Sequence, residues 1–62
     1  MAMTMRAARV NAGLKQSEAA KALNISKNTL SNYENSKTVP DIEMAKQMAE
    51  LYGCSVNDIK FF

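Results

Sequence analysis

The stretch Gln16-Ser17-Glu18-Ala19-Ala20-Lys21-Ala22-Leu23-Asn24-Ile25-Ser26-Lys27-Asn28-Thr29-Leu30-Ser31-Asn32-Tyr33-Glu34-Asn35 decides how this 62-residue chain folds. Its first part predicts a helix from about Gln16 to Leu23. Ala19, Ala20 and Leu23 recur at helical spacing, and Glu18 stands near the positive N-terminal end. Asn24 predicts the stop, because asparagine tolerates the left-handed conformation better than any residue except glycine. Leu23-Asn24-Ile25-Ser26 then reads as a tight turn, with Ser26 capping the next helix. The Ser, Asn and Lys content beyond Ser26 would also suit a loop, but periodicity decides for a helix. Leu30 and Tyr33 face one way, while Asn28, Ser31, Asn32 and Asn35 follow i, i+3, i+4, i+7 on another face. A polar face so free of charge is not an ordinary solvated surface. Asn and Ser are mediocre helix formers, and such conflicts with local propensity tend to fall at functional sites.

On the N-terminal side, Thr4 is placed to cap a helix running through Arg6 and Arg9 to Ala12, with Gly13 as its stop and Leu14 re-entering the core. On the C-terminal side, Pro40 marks a new start. Asp41 and Glu43 stand near the N-terminus of a fourth helix reaching Tyr52, where Gly53 ends it. Ile42, Ala45, Met48, Ala49 and Tyr52 form its expected core stripe. Ser55-Val56-Asn57-Asp58 approximates a capping box, with Asp in the Glu/Gln place, and predicts a short fifth helix carrying Val56 and Ile59. Alternation of Val, Ile, Thr and aromatic residues never runs for four residues, so strands have little support. The expectation is an all-α, compact five-helix bundle forming a single domain over residues 1–62.

A chain this short buries only about 60% of the surface its unfolded form exposes, so it needs help from disulfides, metal, ideal helix packing or a partner. Cys54 is the one cysteine and there is no histidine, which excludes an internal disulfide and a Cys/His zinc site. Cys54 is expected as a small buried apolar residue. The same lack of histidine removes Ser/His and Cys/His catalytic pairs, and no Gly-rich phosphate loop is present. No enzyme, metal, cofactor or small-molecule ligand is therefore expected. No segment approaches the roughly 20 apolar residues of a membrane span, and Met1 to Met5 lack the apolar run of a secretory signal. A cytoplasmic location follows as an expectation, and the Asn24-Ile25-Ser26 glycosylation triplet is read as chance. Charge is uneven: residues 1–40 carry six cations against two carboxylates, whereas residues 41–62 carry two cations against four carboxylates. The N-terminal part could face a polyanion, although charged residues often simply solvate a surface.

Two short helices joined by a turn of a few residues, the second with a polar face, make the arrangement in which the second helix enters the DNA major groove. It spans about residues 16–35. Arg9-Val10-Asn11-Ala12-Gly13-Leu14-Lys15-Gln16-Ser17-Glu18-Ala19-Ala20, then Leu23-Asn24-Ile25-Ser26, Leu30-Ser31, Tyr33-Glu34-Asn35, Pro40 and Gly53-Cys54-Ser55 resemble the Cro/repressor, or XRE-type, helix-turn-helix domains of the lambda-repressor-like fold. The resemblance runs from about Met5 to Ile59. It implies sequence-specific binding of double-stranded DNA at a palindromic operator, by a homodimer that regulates transcription as a repressor. It further implies that Lys27, Asn28, Ser31 and Asn32 contact bases and that Gln16, Ser26, Asn35 and Lys37 contact the DNA backbone. Arg9 and Glu34 match a pair that the family often joins by a partly buried salt bridge; without the resemblance they read as two surface charges. Three departures bear on the loops. Lys15 stands where Ser or Thr usually caps the second helix, Asn24 replaces a common turn glycine, and Ser36 replaces a glycine after the third helix, leaving Asn35 as its expected substitute.

The side-chain chemistry independently suits these positions. Asn hydrogen-bonds bidentately to adenine N6 and N7, at roughly 1–3 kcal/mol of discrimination per good pair, whereas Lys prefers guanine acceptors or phosphate. A·T pairs are thus expected opposite Asn28 or Asn32, the alternative being a helix-terminal hydrogen bond. Phe61 and Phe62 either complete the core or form a dimer interface. The rival function is an antitoxin or anti-repressor module that holds another protein on the same fold. A protein-binding third helix would normally present aromatic or aliphatic anchors, which this one lacks.

Overall fold

In the computed structural model, which describes residues 2–61, the elements run in the order β1 (Met3–Thr4), α1 (Met5–Asn11), α2 (Gln16–Ala22), α3 (Lys27–Glu34), α4 (Ile42–Tyr52), a single 3-10 turn (Val56–Asp58) and β2 (Ile59–Lys60). Side chains start three of the helices. The Thr4 hydroxyl accepts from Ala7 N–H at 3.0 Å, the Ser26 hydroxyl from Thr29 N–H at 3.0 Å, and the Asp41 carboxylate from Met44 N–H at 2.9 Å. Lys15, before α2, has no acceptor on its side chain. There Glu18 reaches back and accepts the Lys15 N–H at 2.8 Å, a cap supplied from inside the helix.

All four helices stop in the same way. Gly13, Asn24, Ser36 and Gly53 take φ of 76°, 60°, 60° and 72°. Each left-handed residue turns the following N–H back onto a carbonyl five residues earlier: Leu14 to Arg9 (3.2 Å), Ile25 to Ala20 (3.0 Å), Lys37 to Asn32 (2.9 Å) and Cys54 to Ala49 (3.0 Å). These bonds close the last turn of each helix onto its own carbonyls. Ser36 thus takes the left-handed place itself. The expectation that Asn35 would substitute is corrected, since Asn35 keeps φ −94° and closes α3 as its C-cap.

The core centres on Leu30 and Met48, the largest fully buried side chains. Around them lie Met5, Ala8, Ala19, Ala20, Leu23, Ala49, Tyr52 and Ile59. The alanines let helix backbones approach closely, and α2 packs on α3 while α1 touches α3, α4 and β2. Within α4 the stripe holds for Ala45, Met48, Ala49 and Tyr52 but fails for Ile42, which is 67% exposed. Ile42 stands in the first turn, ahead of the level where Ala45 begins the buried face. Pro40, just before the helix, is buried instead.

The five-helix expectation is corrected as well, because the described residues contain four α-helices. Ser55 does cap the last segment, its hydroxyl accepting from Asn57 N–H (3.3 Å) while Asp58 accepts the Ser55 N–H (3.2 Å). Only one 3-10 turn forms, however. Ile59 is already extended, at φ −115° and ψ 134°, and β2 pairs in parallel with β1 in the register Met3 to Ile59 and Thr4 to Lys60. Backbone groups there are satisfied by a ladder rather than by a further helical turn. The fold is therefore mostly helical and compact, as expected, with four α-helices and one two-residue strand pair where the fifth helix was expected.

Candidate nucleic-acid interface

α2 and α3 are separated by the turn Leu23–Ser26, and α3 is held from below by Leu30, which is fully buried. That seating turns the Asn/Ser face outward. Lys27 and Asn28 are exposed, while Ser31 and Asn32 are half-buried. Gln16, Lys27, Asn28 and Ser31 line one shallow cleft where the first residue of α2 meets α3. The cleft therefore gathers a cation, two carboxamides and a hydroxyl, which are suited to phosphate oxygens and base edges.

The remaining sequence-selected residues lie around this cleft. The Ser26 hydroxyl is engaged at the α3 N-terminus, where it also shares a 2.8 Å hydrogen bond with the Thr29 hydroxyl. Asn35 closes α3 and its Nδ2 donates to Ser31 Oγ at 3.2 Å, joining two residues of the polar face one turn apart. The Asn32 carbonyl accepts the N–H of Lys37 (2.9 Å), and the exposed Lys37 side chain follows directly in the loop after α3. Phe61 is half-buried against the core, and Phe62 lies outside the described residues.

One buried carboxylate ties three helices together behind the interface. The Glu34 side chain is fully buried, and Arg9 reaches it with Nε to Oε2 at 2.7 Å and Nη2 to Oε1 at 3.3 Å. Arg9 Nη1 also donates to the Leu14 carbonyl at 2.9 Å, fixing the α1–α2 loop. Gln16 Nε2 donates to Glu34 Oε1 at 3.1 Å, which pins the first residue of α2 to the last residue of α3. Arg6, not selected from the sequence as a site residue, approaches the same Oε1 with Nε at 3.5 Å and donates from Nη2 to Asn35 Oδ1 at 3.2 Å. Its position three residues before Arg9 was the available signal, since that spacing puts both guanidinium groups on one helix face.

Behind the junction, the buried Tyr52 hydroxyl has no hydrogen-bond partner among the described residues. Burial, followed by the nearby negative charge of Glu34, pushes its pKa up to about 12, against a smaller opposing effect of Arg9. Cys54 packs partly buried against the core, and its thiol is pushed upward first by burial and then by Asp58, away from the thiolate that reactivity requires.

A compact set of helices with a tight turn between α2 and α3, and a polar α3 face projecting from a locked base, defines a helix-turn-helix domain. The helix-turn-helix family model matches residues 5–59, and the chain belongs to that family, of XRE type. Among curated proteins it is similar to the "HTH-type transcriptional regulator ImmR" of Bacillus subtilis (strain 168), with 42% identity over 53 residues. That match covers 86% of this chain but 42% of the relative, so the chain corresponds to less than half of the relative's length. No solved structure matches the chain significantly. No helix among the described residues is long and apolar enough to cross a membrane.

Proposed function

We propose that this domain binds double-stranded DNA sequence-specifically, with α3 in the major groove, and regulates transcription as a repressor. The observation that carries the proposal is the cleft shared by Gln16, Lys27, Asn28 and Ser31. It joins the N-terminus of α2, where a backbone phosphate would be held, to the part of α3 that would meet base edges. Lys27, Asn28, Ser31 and Asn32 are the proposed base-contacting residues. Gln16, Ser26, Asn35 and Lys37 are the proposed backbone contacts. Arg9 and Glu34 hold the two helices in register for both. The name of the Bacillus relative, a transcriptional regulator, supports the same role. The antitoxin or anti-repressor reading is weaker, because the outward face of α3 offers no aromatic or aliphatic anchor.

The working form is proposed to be a cytoplasmic homodimer on a palindromic operator, with Phe61 and Phe62 contributing to the subunit contact. The domain measures 27 Å in its longest dimension. Two copies side by side, with their α3 helices turned away from the symmetry axis, can reach the roughly 34–36 Å between half-sites one DNA turn apart. Selection of duplexes from a random pool at near-physiological salt, with an Asn28→Ala/Asn32→Ala variant beside the parent, tests the reading. The expected result is a palindrome enriched by the parent and lost in the variant. Equal enrichment by both would remove α3 as the reading element, and no enrichment by folded parent would remove DNA as the ligand.

A further inference from the structure

We infer that Arg6 is a DNA-phosphate contact, extending the interface from α3 onto α1; this rests on the DNA-binding reading above. Glu34 supplies one negative charge to two arginines. Arg9, whose side chain is only 11% exposed, takes that carboxylate through its 2.7 Å and 3.3 Å contacts. Arg6 is left at 3.5 Å with its side chain 57% exposed, a surplus cation at the protein surface.

Its placement is set by the polar face of α3. Arg6 Nη2 donates to Asn35 Oδ1 at 3.2 Å, and Asn35 Nδ2 donates in turn to Ser31 Oγ at 3.2 Å. Ser31 is one wall of the cleft that also holds Gln16, Lys27 and Asn28. A continuous line of side chains thus runs from Arg6 into the cleft. Asn35 and Glu34 engage the Nη2 and Nε side of the guanidinium, so the Nη1 pair and the second Nη2 hydrogen remain for a ligand. A planar fork already held in place loses little rotamer freedom on binding, and its geometry fits two non-bridging oxygens of a phosphodiester. A phosphodiester is also the anion that DNA would bring beside the C-terminal end of α3 if the cleft takes the groove edge. Asn35 acts as the positioning residue for this fork.

The test is fluorescence anisotropy on the selected duplex from 50 to 200 mM salt, comparing parent, Arg6→Gln, Arg6→Lys and Lys46→Gln. Lys46 lies on α4, outside this network, so its variant reports the effect of removing one charge anywhere. Arg6→Gln is expected to weaken binding about three- to tenfold, equally for matched and mismatched duplexes, and to flatten the slope of log K against log salt by about 0.9. Arg6→Lys should keep the parental slope while losing part of the affinity, and Lys46→Gln should leave the slope unchanged. Thermal melts run alongside show whether each variant is folded; if the Gln variant is not, the Arg6→Lys affinity carries the test, and a folded Arg6→Lys variant with parental affinity overturns the assignment. A folded Arg6→Gln variant with parental slope and affinity, or an equal change in Lys46→Gln, overturns the assignment while leaving DNA binding in place. A parent that binds no duplex overturns both.

Discussion

Substituting glutamine for Glu34 isolates the charge at the junction of α1, α2 and α3 while preserving shape. Its two oxygens accept from Arg9 Nε (2.7 Å), Arg9 Nη2 (3.3 Å) and Gln16 Nε2 (3.1 Å). In Glu34→Gln one oxygen becomes an NH2 group. Placed at Oε2 it confronts Arg9 Nε donor to donor; placed at Oε1 it confronts Gln16 and Arg9 Nη2. Neither amide orientation satisfies the site, and Arg9 is left buried without its anion. Removing one partner of a buried pair costs about 3–5 kcal/mol. Arg9 keeps the Leu14 carbonyl at 2.9 Å as an acceptor, which puts the expected loss at the lower end, about 3 kcal/mol. At about 0.05–0.15 kcal/mol per residue, a domain of this length has only roughly 3–9 kcal/mol in total. Urea and thermal melts followed by helical circular dichroism should therefore show a variant close to unfolding, with a Tm about 12–24 °C below the parent. Replacing both partners, as Arg9→Met with Glu34→Leu, should recover much of the loss, because no uncompensated charge is then buried. A Glu34→Gln penalty below about 1 kcal/mol at unchanged m-value would show that the carboxylate is not what holds the helices together.

Four further substitutions probe other parts of the fold. Tyr52→Phe should equal or exceed the parent in stability at neutral pH, since the buried hydroxyl has no partner among the described residues to lose. Because Tyr52 ionises near 12 when folded and near 10 when unfolded, the unfolded chain releases this proton first, and stability falls as pH rises from about 10 to 12. This share of the decline, about 2–3 kcal/mol at 1.36 kcal/mol per pH unit, should be missing from Tyr52→Phe, and superimposable alkaline melts would refute it. Met48→Ala should cost about 2–5 kcal/mol and Ile42→Ser within about 0.5 kcal/mol, measured by urea melts. A costly Ile42→Ser would mean that its exposed side chain is covered in solution. Ser36→Gly should stabilise the domain by about 0.5–1 kcal/mol by relieving the left-handed serine, and a lower Tm than the parent would contradict this.

Helix ends were the most legible feature of the sequence, because the residues that stop a helix do so through their own conformational freedom. Gly13, Asn24 and Gly53 each announced a left-handed stop, Thr4 and Ser26 each announced a start, and Pro40 marked the fourth start one residue ahead of the Asp41 cap. Ser36 gave no such announcement. Serine seldom adopts that conformation, and the Lys37 to Asn32 bond that stabilises it here depends on the assembled helix end. Ile42 matched the periodicity of α4, but periodicity assigns a face without saying how far along the helix that face is covered. The strand pair was illegible for two reasons: two residues are too few to show alternation, and each strand's partner comes from the opposite end of the chain. Within the interface, residue types indicated which α3 side chains stand outward. The closeness of Arg9, Gln16 and Glu34 depends on three separate segments, and no local pattern encodes it. Arg6 was legible as a residue of the first helix and as a charge, and its spacing from Arg9 placed both on one face, but nothing local showed that Glu34 and Asn35 would lie beside it.

The parallel register of β1 and β2 has a mechanical consequence. In a parallel pair, residue 2 precedes one strand and residue 61 follows the other, so they leave the ladder at opposite ends. Tension applied between them runs along the strands and loads the pairing in shear, forcing its bonds to yield together instead of unzipping singly. The helices behind would feel little of that load until the pairing gives way. Under such a load the two-residue ladder is the part of the fold that bears the tension first.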